Sequence, residues 1–386
     1  MDKPIREDFV YLDNAATSWP KPDSVYVAIN ECLREFGANP GRSSHRLSIL
    51  AEQAIEDARV LLARFFNAPS PNHVLFTLNC TDSLNIALKG LIKPGMKVVT
   101  TPYEHNSVMR PLRRLQESGV KVEVARGTAN YKVDLDHFRE LCARGVDVAV
   151  VSHASNVTGC LQPVREMAMA VHEAGGILVL DAAQSAGTVN IDMERLGIDV
   201  LAAPGHKGLM GPMGVGVLVV GEGVKISPFR EGGTGFRSED DLHPESLPWG
   251  LEAGTPNLPG IAGLAAGVRF IQSVGIEAIA AKEAHLARTL VEGLKNIPAV
   301  KLYCPPEGPE SGIVSFTITG QDVAVLGTVL DQAFGIGLRA GLHCSPSAHR
   351  AIGTFPEGTL RASIGYFNSA GDVERLLAAL RQICLA

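Results

Sequence analysis

The sequence predicts an α/β protein built around a mostly parallel sheet, and three observations lead to this prediction. From about residue 73 the chain alternates short β-rich runs with longer helical patterns, which is typical of a parallel sheet covered by helices on both faces. After about Pro256 the chain turns to long Ala/Ile/Leu-rich helical stretches, which predict a second, smaller α+β domain. Gly accounts for 40 of the 386 residues, above the usual share of about 7%, and this surplus favours tight turns and backbone that approaches a ligand closely.

The elements of the first part follow one another in strand–helix order. Predicted helices run from Thr81 to Leu91, whose leucines share one face, and onward from about Asn106. Because active sites in such sheets collect at the carboxyl ends of the strands, we expect the functional groups there. The predicted strands are Val74–Thr77, Lys97–Thr100, Lys121–Val124, Val146–Val151 and Ile177–Leu180, with a further apolar run of strand length at Gly214–Val220.

The second part is predicted to contain longer helices and fewer strands. A helical stretch from about Ile261 to Ile297 is interrupted near Val274 and Gly275. The chain shows neither an internal repeat nor a low-complexity linker between the two parts. The remaining predicted elements are a strand at Ile313–Thr317, a helix at about Asp322–Phe334, a strand at about Leu360–Ile364 and a closing helix at about Gly371–Ile383.

Composition and charge argue against several classes of protein. Lys and Arg number 35 against 41 Asp and Glu, so the formal net charge of −6 carries no signature of nucleic-acid binding. No apolar run reaches the ~18 residues of a membrane span, and residues 1–8 lack the apolar stretch of a signal peptide. We therefore expect a cytoplasmic protein without a membrane segment. The seven cysteines form no C-x-x-C pair, which predicts reduced thiols with neither a disulfide framework nor a metal site.

One lysine stands between glycines, in the segment Gly205-His206-Lys207-Gly208 that follows the apolar run Val200–Ala203. Burial at such a place lowers the pKa of an amine and favours its attack on a carbonyl, so Lys207 is a candidate for Schiff-base chemistry. A surface turn with an exposed lysine is equally compatible with these residues. The spacing of the glycines excludes a P-loop.

Two other polar segments follow predicted strands. Asp181 comes directly after Ile177–Leu180, where a carboxylate could keep a pyridinium nitrogen protonated or could simply cap a helix. The segment Asn79-Cys80-Thr81-Asp82-Ser83 lies between a strand and a helix, where hydroxyls and free N–H groups bind anions or again serve as caps. Asp82 is compatible with a bound phosphate only where its side chain points away.

Taken in order along the chain, these segments resemble a known family. The chain is similar to the fold-type I, pyridoxal 5′-phosphate (PLP) enzymes of the class V aminotransferase family, and specifically to cysteine desulfurases and selenocysteine lyases. The resemblance extends from Leu12-Asp13-Asn14-Ala15-Ala16-Thr17 to Arg361-Ala362-Ser363. It implies a large PLP-binding domain (residues 16–257) with a mostly parallel seven-stranded sheet, and a smaller α+β domain (residues 1–15 and 258–386).

The resemblance also implies a role for each motif around the cofactor. Lys207 matches the lysine that binds PLP covalently, His206 its phosphate-side neighbour, and Asp181 the partner of the pyridine nitrogen. Thr255 matches a threonine of the second subunit that contacts the phosphate, which implies a homodimer. The family usually has Ser where this chain has Pro204, so one phosphate hydroxyl and one N–H are missing. The other implied cofactor contacts are Cys80 and Thr81 at the phosphate loop, His105 stacked on the ring, and Asn156 and Gln184 at the phenolic oxygen.

At the substrate end, the segment 339–346 resembles the desulfurase loop Arg-x-Gly-x-x-Cys-x-x-Pro, with its Pro one position early. By this match Cys344 is the nucleophile that takes the sulfur of L-cysteine as a persulfide, with L-alanine as the product. A neighbouring cation would favour the required thiolate. His343 and His349 are the sequence-near candidates, although solvent-exposed loop histidines fit the sequence equally well. The other six cysteines are expected to be inert structural thiols.

Arg361 matches the family's carboxylate-binding arginine, with Asn156 and Arg339 as further substrate contacts. Its separation of 17 positions from Cys344 resembles the Suf-type (group II) enzymes, which implies slow basal turnover and a sulfur-acceptor protein. Four functions stay open. They are a cysteine desulfurase of sulfur metabolism such as iron–sulfur cluster assembly, a selenocysteine lyase, another class V enzyme (aminotransferase, epimerase or kynureninase-like lyase), and a silent scaffold. The presence of Lys207 and Asp181 argues against the scaffold.

Overall fold

A computed structural model describes residues 9–41, 45–237, 239–305 and 307–385, so residues 1–8 of the predicted small domain and residue 386 lie outside the described part. The first half of the chain supplies the elements that position the site. They are β1 (Val10–Tyr11), α1 (Asp23–Glu31), α2 (Arg46–Phe66), β2 (Val74–Thr77), α3 (Cys80–Leu91), β3 (Lys97–Thr100), α4 (Asn106–Gln116), β4 (Lys121–Val124), α5 (Leu135–Ala143), β5 (Val148–Ser152), α6 (Val164–Glu173), β6 (Ile177–Asp181), α7 (Met193–Leu196), β7 (Val200–Pro204) and β8 (Gly216–Val220).

Seven of these strands form one sheet, in the order β2-β8-β7-β6-β5-β3-β4. The strands pair in parallel except at β8, which runs antiparallel to both β2 and β7. Strands β5, β6 and β7 are buried along nearly their whole length, which explains why their sequences are continuous apolar runs and not alternating ones. The mostly parallel seven-stranded sheet expected from the sequence is confirmed.

Helices cover both faces of this sheet. Successive residues of a strand point to opposite faces, so Leu180 and Val179 of β6 belong to two different cores. Leu180 packs with Phe66 of α2 and Phe138 of α5, whereas Val179 packs with Leu84 of α3. The helices therefore screen the sheet from water on both sides and leave its carboxyl edge open for a ligand.

The second half of the chain forms two smaller sheets. Strands β12, β13, β10 and β9 pair antiparallel in that order, and β1 pairs in parallel with β11. Asp13, just after β1, bridges to Ser363 at the end of β13, which brings the start of the chain beside its last strand. The elements of this half are α8 (Leu258–Val274), α9 (Ile276–Lys295), β9 (Val300–Leu302), β10 (Ile313–Ile318), α10 (Val323–Phe334), β11 (Ile336–Gly337), β12 (Arg339–Gly341), α11 (Pro346–Ile352), β13 (Thr359–Ser363) and α12 (Ala370–Leu385).

The division into domains after residue 257 stays a prediction. Helix α8 begins at Leu258 but packs into the core of the seven-stranded sheet. The second core, formed around Leu290, Phe316 and Leu376, takes its residues from beyond the bend at Gly275 and from the start of the chain, at Val10 and Leu12. In the described part of the chain, length and hydropathy qualify no single helix as a membrane span. Helices α8 and α9 reach that threshold only as a pair, with a bend of 82° between them.

Candidate active site

The candidate site is a cavity of about 440 Å³ at the carboxyl edge of the large sheet. The segments that follow β2, β3, β5, β6 and β7 converge on it, as expected for an open α/β sheet. Its size lies within the roughly 300–1,000 Å³ of small-molecule pockets. The structure brings eight of the predicted residues together here: Cys80, Thr81, His105, Asn156, Asp181, Gln184, His206 and Lys207.

Lys207 reaches the cavity from the turn after β7, and backbone contacts fix that turn. Ser18 Oγ donates a hydrogen bond to the Lys207 carbonyl at 2.9 Å. Gly208 packs so closely that a Cβ there would lie 2.3 Å from a backbone oxygen. Burial lowers the pKa of Lys207, and the negative charge of Asp181 opposes this effect only in part. The environment therefore favours the neutral amine, which is the form that attacks carbonyls.

Asp181 ends β6 in the wall of the cavity. Its Oδ1 accepts hydrogen bonds from the Ala183 N–H at 2.9 Å and from the Cys80 thiol at 3.5 Å. Its Oδ2 has no hydrogen-bond partner among the described residues. Burial raises the pKa of Asp181, while the Ala183 N–H and Lys207 lower it. Burial also raises the pKa of Cys80 well above its usual value, so Cys80 stays a protonated thiol that donates to Asp181.

His105 carries a neutral ring in the cavity. Its Nδ1 accepts the Ser107 N–H at 3.0 Å and lies 2.9 Å from Ser107 Oγ, which is 2.7 Å from Thr81 Oγ1. Burial lowers the pKa of His105 to about 3. The neighbouring Glu104 is buried, accepts a hydrogen bond from Ser152 Oγ at 2.7 Å, and has its pKa raised to about 7 by burial. The sequence analysis missed Ser107 and Ser152, although Ser107 stands only two positions after His105.

The start of α3 lines one end of the cavity, and its geometry suits an anion. Asn79 caps the helix by accepting the Asp82 N–H at 2.9 Å, and the first N–H groups of a helix have no intrahelical partner. Asp82 points away from this end, because its carboxylate pairs with Arg230 at 3.0 Å. Gly216 on β8 allows the close approach of the loop, since a Cβ there would lie 2.6 Å from the Asn79 carbonyl carbon.

These groups fit PLP. An amine with a lowered pKa suits its aldehyde, the open Oδ2 of Asp181 suits its ring nitrogen, and the start of α3 with the Thr81 hydroxyl suits its phosphate. Pro204 lines the cavity without a hydroxyl or an N–H to offer. Gln184 lines it too, and its Nε2 is fixed by donation to the Ala15 carbonyl at 2.9 Å.

Thr255 is not among the described residues that line the cavity. It lies on an exposed segment that Glu252 ties to the large sheet. The Glu252 carboxylate accepts two hydrogen bonds from the buried Arg59 guanidinium, at 2.9 and 2.6 Å. The contact of Thr255 with the phosphate in the site of a second subunit stays a prediction.

A loop beside the cavity carries Cys344, whose side chain is exposed. Asn156 holds this loop on both sides of the thiol: its Nδ2 donates to the His343 carbonyl at 2.7 Å, and its Oδ1 accepts from Ser345 Oγ at 2.7 Å. The Asn106 N–H donates to the Cys344 carbonyl at 2.8 Å. His343 and Cys344 have φ angles of 49° and 59°, a left-handed backbone that non-glycine residues adopt only where surrounding contacts maintain it.

The cation beside Cys344 is an arginine and not a histidine. Arg339 Nη2 lies 3.2 Å from Cys344 Sγ. His343 and His349 are only 2% and 0% exposed, so their interpretation as solvent-exposed loop residues is wrong. Burial lowers the pKa of His343 to about 2 and that of His349 to about 4, so both rings are neutral. The signal for this cation was present in the sequence, five positions before Cys344.

Arg361 is fully buried beside the site. Its Nη2 pairs with Asp13 Oδ1 at 2.8 Å, and its Nη1 donates to the Asn156 carbonyl at 3.1 Å. Its Nε has no hydrogen-bond partner in the described part of the chain. Arg361 is not among the described residues that line the cavity. The guanidinium therefore has Asp13 as its counterion in this structure.

The fold and the site together define a PLP-dependent enzyme of fold-type I. Comparison with known proteins gives the family. The chain belongs to the family described as Aminotransferase class-V, which matches residues 10–376.

Similar proteins are named as desulfurases. A probable cysteine desulfurase of Pyrococcus abyssi is 38% identical, over 99% of this chain and 96% of that protein. A cysteine desulfurase of Haloferax volcanii is 34% identical, over 96% of this chain and 88% of that protein. Among solved structures, the apo cysteine desulfurase from Thermococcus onnurineus NA1 has a TM-score of 0.90 at 34% identity, covering 100% of this chain and 99% of that one. The cysteine desulfurase CsdA (S-sulfonic acid) from Escherichia coli has a TM-score of 0.88 at 30% identity, covering 98% and 95%.

Proposed function

We propose that this protein is a cysteine desulfurase, which converts L-cysteine to L-alanine and transfers the sulfur to Cys344. The observation that carries the proposal is the position of the Cys344 thiol. It is exposed, lies 3.2 Å from Arg339, and belongs to a loop that Asn156 and Asn106 tie to the wall of the cavity. An aminotransferase or epimerase has no use for a thiol held in this way.

PLP supplies, when bound, an aldehyde that combines with amines and a conjugated ring that withdraws electrons from the bonds of the substrate α-carbon. Lys207 would hold the aldehyde carbon and Asp181 the ring nitrogen. The neutral His105 ring would stack on the cofactor, and the start of α3 would bind its phosphate. The remaining contacts would come from Cys80, Thr81, Asn156, Gln184 and His206.

Residues of the chain carry out the proton transfer and bind the substrate carboxylate. Lys207 Nζ, whose pKa burial lowers, takes the proton from the substrate α-carbon. Arg361 binds the substrate carboxylate by exchange with Asp13, assisted by Asn156 and Arg339.

Sulfur transfer needs the Cys344 thiolate. Its Sγ attacks the substrate sulfur, and a sulfur–sulfur bond forms. The carbon–sulfur bond breaks with its electron pair left on the β-carbon, which takes up a proton. The α-carbon regains the proton that Lys207 removed, which gives alanine. The guanidinium of Arg339 lies 3.2 Å from this sulfur and would face the negative charge of the attacking thiolate.

The proposed enzyme is a cytoplasmic homodimer that delivers sulfur to an acceptor protein, for instance in iron–sulfur cluster assembly. The exposed position of Thr255, away from its own cavity, supports a site shared between two subunits. Exposed apolar side chains on α1, α2 and the loop before β8 offer surface for an interface between two subunits. They are Tyr26, Val27, Ile49, Leu50 and Met213.

Two variants test the proposal in PLP-loaded protein. Lys207→Ala is expected to abolish the absorbance of covalently bound cofactor. Cys344→Ala is expected to keep that absorbance and to release no alanine from L-cysteine, with or without a reductant. Full alanine production by Cys344→Ala would overturn the assignment, and retained activity on L-selenocysteine alone would replace it by selenocysteine lyase.

A further inference from the structure

A second groove opens beside the candidate cofactor cavity. It measures about 470 Å³ and is lined by side chains of α3 and α4 together with the Cys344 thiol. Thr81, His105 and Ser107 line both the groove and the cavity, so the two spaces adjoin. The outer part of the groove is formed by residues that the proposed chemistry does not use: Asn85, Lys89, Arg110, Pro111 and Arg114.

The charge of this groove is opposite in sign to that of the whole protein. Three cations line it, and none of its described lining residues carries a carboxylate, although the chain has a net charge of −6. Arg114 is partly neutralised by Glu117 at 2.5 Å. Lys89 and Arg110 are exposed and form no ion pair with the described residues. Lys89 Nζ lies 4.9 Å from the centre of the Phe229 ring, a cation–π contact that helps to hold the ammonium in place.

We infer that this basic groove, defined by Lys89, Arg110 and Arg114, docks a sulfur acceptor whose thiol stands among acidic residues. The inference rests on the proposed function, because only a persulfide on Cys344 has sulfur to deliver. Complementary charge steers encounters and selects partners, so an acidic acceptor is drawn to the groove and a basic one is repelled. Cys344 lines the groove, so an acceptor that docks there has its thiol close to the Cys344 sulfur.

The transfer balances without any further reagent. The acceptor thiolate attacks the outer sulfur of the Cys344 persulfide, and a new sulfur–sulfur bond forms. The bond between that sulfur and Cys344 Sγ breaks, and its electron pair returns to Sγ. The acceptor becomes the persulfide and Cys344 the thiolate, again beside Arg339 at 3.2 Å. There is no net oxidation, since one sulfur–sulfur bond replaces another.

The experiment uses the full-length, PLP-loaded enzyme with L-cysteine and three acceptors. Two are synthetic peptides of equal length with a single Cys, flanked by Glu in one and by Lys in the other, and the third is uncharged dithiothreitol. Alanine release is expected to give a kcat/KM for the Glu peptide at least about tenfold above that for the Lys peptide at low salt. High salt should shrink this ratio, because the cations are exposed and screened.

Reversing the charge of two groove residues tests whether the groove causes the preference for the Glu peptide. The double variant Lys89→Glu/Arg110→Glu is expected to remove the preference for the Glu peptide, and Lys89→Gln/Arg110→Gln to reduce it. Turnover with dithiothreitol should be unchanged in both. Arg381→Glu, on the exposed side of α12, is the matched control and should retain the preference.

Three outcomes would overturn the inference. Equal use of the two peptides by the native enzyme, with alanine still formed in dithiothreitol, would refute the groove and leave the proposed function standing. Absence of alanine with every acceptor would refute both. A change of oligomeric state in the reversal variant, measured by light scattering, would make the groove a contact between copies of this chain.

Discussion

The hydrogen bond between Ser345 and Asn156 is predicted to hold the sulfur-carrying loop in its working position. Ser345→Ala removes the donor from Asn156 Oδ1, at 2.7 Å in the structure, and an unsatisfied buried acceptor costs about 1–3 kcal/mol. His343 and Cys344 already hold left-handed backbone angles, each disfavoured by roughly 1–2 kcal/mol. Because about 1.4 kcal/mol is a factor of ten in population, a cost of about 1–3 kcal/mol should slow the variant by roughly five- to 150-fold. The KM for cysteine should change little, since Arg361 contacts the Asn156 carbonyl and not its side chain.

The assay is a rapid-quench measurement of alanine in a single turnover without reductant, with the absorbance of the bound cofactor as a check on the site. Ser48→Ala is the matched control, because Ser48 is also fully buried and donates one hydrogen bond, to the Asn39 carbonyl at 2.9 Å. Both variants should lose similar stability, and only Ser345→Ala should slow alanine formation. A native rate in Ser345→Ala, or an equal loss in Ser48→Ala, would refute this account of the loop.

Three further predictions address charge. Arg339→Met removes the guanidinium that lies 3.2 Å from Cys344 Sγ, where a cation and a thiolate attract by about 1 kcal/mol in water. Alkylation of Cys344 by iodoacetamide should therefore slow roughly fivefold at neutral pH. An unchanged rate would contradict the role of Arg339. Burial raises the pKa of Glu283 to about 8. The folded state therefore keeps a proton that the unfolded chain loses above about pH 4.3. The free energy of unfolding should therefore fall with rising pH between these values, by up to roughly 1.4 kcal/mol per pH unit, and urea titrations should show this slope flattened in Glu283→Gln. Glu252→Gln leaves the buried Arg59, 4% exposed, with only the half-exposed Glu56 as an ion-pair partner. The loss should cost about 3 kcal/mol in denaturant unfolding, against less than about 1 kcal/mol for Asp136→Asn at an exposed ion pair.

Local pattern predicted the bounds of several strands, whether buried or not. Strands β2, β3 and the partly exposed β4 have the predicted bounds, and β6 extends by one residue to Asp181. The fully buried β5 begins two residues later and ends one residue later than predicted, because a continuous apolar run does not mark its own limits. The long helical stretch of the second part also breaks at the predicted place, where Gly275 has φ 92° and separates α8 from α9. The antiparallel direction of β8 was not predictable, because an apolar run carries no information on strand direction.

The site was harder to predict than the fold. The order of motifs indicated Lys207, Asp181 and His105 as candidate site residues, and the structure places all three at one cavity. Ser107 and Ser152 were missed, since a serine two positions from a histidine or at the end of a strand is ordinary in sequence. Asp13 stood in a recognised motif without a role, because its partner Arg361 lies 348 positions away.

The sequence by itself determined the fold class and the family and indicated the candidates for the reactive groups, because these depend on residue type, order and local periodicity. Only the tertiary structure decided which charges act on them. Sequence proximity offered His343 and His349 as the cations at Cys344, and burial leaves both neutral while β12 brings Arg339 to the sulfur. Arg361 is buried and pairs with Asp13, and burial lowers the pKa of Lys207. Ionisation depends on desolvation and on neighbours distant in the chain, and these exist only once the chain has folded.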